Sequence, residues 1–120
     1  MQDYRKLTVW QSSMALAKDC YTVTMSFPRS ELFGLTDQIR RSAVSIPSNI
    51  SEGSGRGTSK EFARYLRIAY ASGCELGTQL ELARRIPMGP EHELADLLSQ
   101  VEDIRRMLTT LTQRIETGNS

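Results

Sequence analysis

Apolar positions recur at helical spacing along the whole chain, and no segment alternates with period two. The clearest pattern is Phe62, Leu66, Ala69, Gly73, Leu76, Leu80 and Ala83, which step alternately by four and three residues. A heptad seam of this kind predicts a long helix over 59–86 that packs along its full length. Leu94, Leu97, Val101, Ile104, Leu108, Leu111 and Ile115 form a second seam and predict a helix over 90–116. Near the start, Trp10, Met14, Ala17 and Tyr21, widened by Leu16, Cys20 and Val23, predict a helix over 9–25. Leu35, Ile39, Ala43, Ile46 and Ile50 predict another over 31–53. Four amphipathic helices with short connections predict an all-α fold, an antiparallel up-down four-helix bundle forming one domain over 1–120.

Local signals refine the boundaries. Thr8 with Gln11, and Thr58 with Glu61, have the spacing of a capping box, in which a hydroxyl accepts from the third helical N–H. Ser30 can cap the second helix, with Glu31 in its first turn. Gly53-Ser-Gly-Arg-Gly57 reads as a flexible connection, and Pro90 suits the first position of the fourth helix. Pro47 lies inside the second helical pattern, where a missing N–H and a clash with the Ala43 carbonyl cost about 3 kcal/mol. The apolar phase is nevertheless kept from Ile39 through Ala43 and Ile46 to Ile50, which predicts a continuous helix kinked at Pro47. Ala69, Gly73 and Gly77 recur every four residues and predict close packing of the third helix against the first or second.

Composition adds constraints. The chain has 120 residues, enough for one self-sufficient core, and no apolar run approaches the roughly 20 residues a membrane span needs. The N-terminal segment lacks the apolar centre of a signal peptide, and the two cysteines, Cys20 and Cys74, are expected to be reduced in a cytoplasmic protein. Net charge is only +1. Its distribution is uneven: residues 1–37 balance, residues 38–67 net +4 and residues 68–120 net −3. A basic middle beside an acidic half suggests a polyanion site or a charged contact between subunits.

The cations then fall into a pattern. At about 100° per residue, Lys60, Arg64 and Arg67 form one row opposite the Phe62–Ala83 seam. Arg56 precedes the N-terminus of the same helix, whose free N–H groups attract anions. Arg41 points away from the second helix's seam and Arg40 lies on its flank. Arginine's planar fork of donors matches phosphate oxygens, so these six residues are the candidate nucleic-acid-binding set, led by phosphate contacts. Further along the same face of the third helix, Ala71, Cys74 and Thr78 are small and uncharged. With Glu75 they are the candidate oligomer interface. A protein–protein scaffold, with the arginines pairing to a neighbour's acidic half, is the alternative reading.

Candidate chemistry is sparse. His92 is the only histidine, so a di-iron bundle cannot be assembled, and nothing places a nucleophile beside it for a Ser-His-Asp or Cys-His pair. The Gly53-x-Gly-x-Gly57 run follows a helix rather than a strand and does not match a dinucleotide loop. The expectation is a non-enzymatic protein with no metal and no cofactor.

One group of residues points further. Leu7-x-Val9-Trp10, Phe27-Pro28-x-x-Glu31, Gln38-Ile-Arg-Arg-Ser42, Ser45-Ile-Pro-x-Asn49-Ile-x-Glu52-Gly53, Glu61-Phe62, Leu66, Ala69, Ser72 and Glu75-Leu76 resemble the bacterial four-helix-bundle proteins encoded in intervening sequences of large-subunit ribosomal RNA genes. The accessory variability protein of diversity-generating retroelements looks like a relative of that family. The resemblance covers about Tyr4 to Ile115, and Ser-Ile-Pro-x-Asn-Ile-x-Glu-Gly is its most specific part. It implies a homopentameric bundle with a basic, nucleic-acid-binding surface and no known enzymatic activity. In the retroelement relatives it also implies contact with a reverse transcriptase. Arg40, Arg41 and Arg64 or Arg67 are the positions that best match such a surface.

Overall fold

A computed structural model describes residues 3–118. Four helices dominate: α1 (Thr8–Thr24), α2 (Leu35–Ser54), α3 (Ser59–Arg85) and α4 (Glu91–Glu116). Single 3-10 turns precede α1 at Tyr4–Lys6 and α2 at Arg29–Glu31. No strand occurs among the described residues. Each helix packs against the next in sequence, and α4 closes the ring against α1. Across the α2–α3 seam Ser42 meets Glu75, Ser45 meets Ser72 and Gly53 faces Phe62, so rising numbers on one helix meet falling numbers on the other. The α3–α4 pairs run the same way, Gly73 against Arg105 and Arg84 against Glu91.

The core follows the predicted seams on three helices. The five apolar positions of α2 and the seven of α3 are all buried, and α4 buries all of its own except Leu111, which is half-buried. Each large side chain buried this completely is worth roughly 1.5–3 kcal/mol relative to exposure. On α1 the expected stripe is displaced. Val9, Ser13, Leu16, Ala17, Cys20 and Thr24 are buried, whereas Met14 and Tyr21 are exposed and Trp10 is half-buried. The true inner face joins Val9 and Leu16 to small and hydroxylated residues, and Trp10, Met14 and Tyr21 flank it. Ser13 and Thr24 tolerate burial because each donates to a carbonyl in the turn before, Trp10 O at 2.9 Å and Cys20 O at 2.7 Å.

Helix ends show several corrections. Thr8 lies inside α1 and no side chain caps that helix. Its capping-box partner Gln11 donates instead to the Arg5 carbonyl, at 3.0 Å. Ser30 caps nothing, and Arg29–Glu31 is a separate turn, so α2 begins at Leu35 rather than 31. Glu31 reaches forward from that turn, and its carboxylate accepts from the Leu35 N–H at 3.2 Å. The Thr58 cap forms as expected, accepting from the Glu61 N–H at 3.2 Å. Pro90 precedes α4 as its extended cap residue. Gly53 and Ser54 belong to α2 and are buried, so the glycine-rich connection shrinks to residues 55–58, where Gly57 has φ +90°. α2 runs unbroken through Pro47, which is buried.

The glycines of α3 lie closer to α4 than to the expected first or second helix, although a Cβ on Gly73 would also come within 4.0 Å of Ile46 Cδ1 on α2. A Cβ on Gly73 would lie 3.3 Å from Arg105 Cγ, and one on Gly77 would lie 3.7 Å from Val101 Cγ1, both on α4. Among the helical glycines the tightest approach is at Gly53, where a Cβ would meet Tyr65 Cβ at 2.6 Å.

Candidate nucleic-acid interface

The six candidate cations all belong to α2, α3 or the loop between them, and five are exposed while Arg40 is half-buried. The row on α3 splits into two groups. Arg56 and Arg64 converge on Tyr65, with guanidinium carbons 5.0 and 4.6 Å from the ring centroid. Arg56 also donates to the Tyr65 hydroxyl at 2.6 Å. Lys60 and Arg67 turn the other way, toward Ile115 and Glu116 of α4.

Most of these cations already have partners. Arg41 pairs with Asp37 at 2.8 Å, Arg56 with Glu52 at 3.1 Å and Arg64 with Glu61 at 3.0 Å. Arg67 pairs with Glu116. Arg40 donates to the Thr24 hydroxyl at 3.0 Å and stacks over Tyr21, which fixes it at the α1–α2 seam. The hydrogen bond from Arg64 holds the Glu61 carboxyl below its ordinary value. Exposed pairs of this kind are screened by water and contribute little to stability, so they orient the arginines without locking them. The side chains of Arg64 and Arg67 remain 53% and 56% exposed, and neither turns into the core.

The second candidate set lies further along α3. Ala71, Cys74, Glu75 and Thr78 are exposed, and the Thr78 hydroxyl donates to the Cys74 carbonyl at 3.1 Å. Glu75 leans back to accept from the Ser42 hydroxyl of α2, at 3.1 Å. Together with the Ser45–Ser72 hydroxyl contact at 2.8 Å and the Asn49 amide donating to Ser45, it forms a polar ladder along the α2–α3 seam. Glu75 is thus partly engaged within its own chain.

Sequence reading missed an apolar patch. Phe33 is 92% exposed, and with Leu32, Val44 and Tyr21 it lines a groove bordered by Arg40 and Arg41. Its signal is Leu32-Phe33-Gly34, hidden because that tripeptide falls inside the helix expected over 31–53. Among the described residues no cluster of three His, Cys, Asp or Glu could hold a metal, and no helix is long and apolar enough to cross a membrane. Cys20 is buried and Cys74 exposed, and both are free.

Four packed helices around an apolar core, with charged side chains confined to the outside, define a small all-α bundle protein with a charged exterior. Within that class the chain belongs to the 23S rRNA-intervening sequence protein family, whose sequence profile matches residues 5–110. A solved structure from Bacteroides thetaiotaomicron, described as a protein of unknown function from the S23 ribosomal protein family, superposes with a TM-score of 0.78. It is 23% identical over 88% of this chain and 98% of its own, and it supports the fold. No curated protein matches.

Proposed function

We propose that this protein is a non-enzymatic, self-assembling bundle that binds nucleic acid through its phosphate backbone. Arg40, Arg41, Arg56, Lys60, Arg64 and Arg67 supply the contacts. The observation that carries the reading is the outward display of Arg56, Lys60, Arg64 and Arg67 around the first turns of α3. A phosphate that displaces Glu52, Glu61 or Glu116 exchanges a weak exposed ion pair for a charge-assisted contact of similar geometry. The aromatic ring at the α3 cations, Tyr65, is already covered by two guanidinium groups, which leaves Phe33 beside Arg40 and Arg41 as the main exposed ring. Sequence preference is therefore weak.

A titration against duplex DNA and RNA across salt concentrations tests this. The log–log slope should steepen by about 0.9 for each duplex DNA phosphate neutralised. Replacing Arg64 and Arg67 by alanine should weaken binding uniformly across sequences and flatten the slope by about one for each arginine that touches a phosphate. Absence of binding at low salt removes the proposal.

The exposed Phe33 patch favours a second reading, a scaffold for self-assembly or a protein partner. Aromatic side chains ringed by arginines are characteristic of interface centres. Under this reading Phe33→Ser lowers the assembly state seen by light scattering while nucleic acid never binds. Unchanged light scattering removes it.

A further inference from the structure

A second cationic site lies away from both candidate surfaces, in a cleft of about 750 Å³ between the start of α1 and the C-terminal half of α4. Its volume is within the range of small-ligand sites. The cleft forms where these two helices flank the segment leading into α1. Leu7 and Val9 are buried at its floor, and Leu111 of α4 lies half-buried beside them. The rim is polar and carries Lys6, Arg106 and Arg114 against the single carboxylate of Asp103.

Of those three cations only one has an ion pair among the described residues. Arg106 is engaged by Asp103. Lys6 and Arg114, although α4 is rich in carboxylates, have no ion pair among the described residues. Thr8 and Thr110 also line the cleft. No side chain caps the first turn of α1, so its amide dipoles add to the positive potential there.

We propose that the cleft binds a phosphate ester. Lys6, Arg106 and Arg114 meet the phosphate oxygens, the threonine hydroxyls complete the polar contacts, and Leu7, Val9 and Leu111 receive the organic portion. The phosphate belongs either to a free mononucleotide or to a nucleic-acid backbone, and both present the same group to the cleft. The residues and helix faces differ from those of the α2–α3 surface, so the two sites stand or fall separately.

The test is amide chemical-shift mapping of the full chain, titrated with adenosine monophosphate and, separately, with an eight-nucleotide single-stranded RNA. At least one probe should shift the amides of Thr8, Val9, Leu111 and Arg114. Lys6→Ala with Arg114→Ala should raise the Kd at least tenfold at unchanged circular dichroism and Tm. Asp103→Asn, which releases Arg106, should lower it several-fold. Shifts with both probes identify a free ester as a sufficient ligand, whereas shifts with RNA alone identify the polymer backbone. The proposal is overturned if neither probe moves these amides at millimolar concentration, or if the double variant binds like wild type. Loss of the α3 arginines should leave the cleft shifts intact, and shifts confined to α3 amides sink the cleft while sparing the α2–α3 proposal.

Discussion

Gly53 offers the sharpest test of the packing argument. It sits in the last turn of α2, buried against Phe62 and Tyr65 of α3. An alanine Cβ there would lie 2.6 Å from Tyr65 Cβ, 3.2 Å from Phe62 Cδ1 and 3.3 Å from the Phe62 carbonyl oxygen. Ordinary carbon–carbon contact is about 3.5–4.0 Å, so the overlap approaches 1 Å. Tyr65 Cβ is the root of its side chain and cannot swing aside, so α2 and α3 must separate. Overpacking of this kind costs about 1–3 kcal/mol. Helix propensity works against it, because alanine gains up to about 1 kcal/mol over glycine in a helix. Because the overlap falls on an atom that cannot move aside, the upper part of that range applies, about 2–3 kcal/mol, and the balance is a net loss of about 1–2 kcal/mol for Gly53→Ala, or several degrees in Tm for a domain of this size. Gly55, two residues on, is the control. Its φ of −82° suits any residue, and a Cβ would meet nothing closer than 3.6 Å. Gly55→Ala should stabilise by about 0.4–1 kcal/mol, mainly by restricting the unfolded chain. Urea unfolding with unchanged m-values should therefore move the two midpoints in opposite directions. A Gly53→Ala protein as stable as wild type would mean that α2 and α3 do not approach as described.

Cys20 is desolvated by burial, which pushes its thiol up to about 12, while Cys74 is exposed. A thiol reagent at pH 8 should modify one cysteine in the native protein and two in denaturant; two fast-reacting native thiols would contradict the α1 packing. The same shift makes stability fully present below the unfolded value near 9.0 and lost as pH rises from there toward about 12, which urea midpoints can follow in a Cys20→Ala comparison. At the acid end, hydrogen bonds from Arg64 and Arg84 hold Glu61 and Glu91 below 4.5. Their contribution is complete above about pH 4.5 and disappears as pH falls through the lowered values, so Arg84→Ala should shallow the acid decline in urea midpoint. An Arg84→Ala profile parallel to wild type from pH 6 to 3 would refute that linkage.

The seams of α2, α3 and α4 were legible because each repeats every three or four residues with large aliphatic side chains. α1 misled in part: Leu16, Ala17 and Cys20 are buried as expected, but the inner face continues through Val9, Ser13 and Thr24, while Trp10, Met14 and Tyr21 provided a louder but displaced pattern. The Thr58 cap was readable, whereas Thr8 was not, because the Tyr4–Lys6 turn leads directly into α1 and leaves Leu7 as its cap residue. The six cations were correctly placed outside the core. Their pairings were only partly readable, since Glu61 with Arg64 is an i,i+3 neighbour but Glu116 with Arg67 joins two helices.

The amino-acid order alone determined that this chain makes four amphipathic helices and which side chains three of them bury, because helical periodicity and hydrophobic burial act through residues near one another. Only the tertiary structure decided that Gly73 and Gly77 face α4, that Arg67 meets Glu116, and that Lys6 and Arg114 line one cleft. Those outcomes depend on contacts between residues dozens to a hundred positions apart, and no local spacing encodes them.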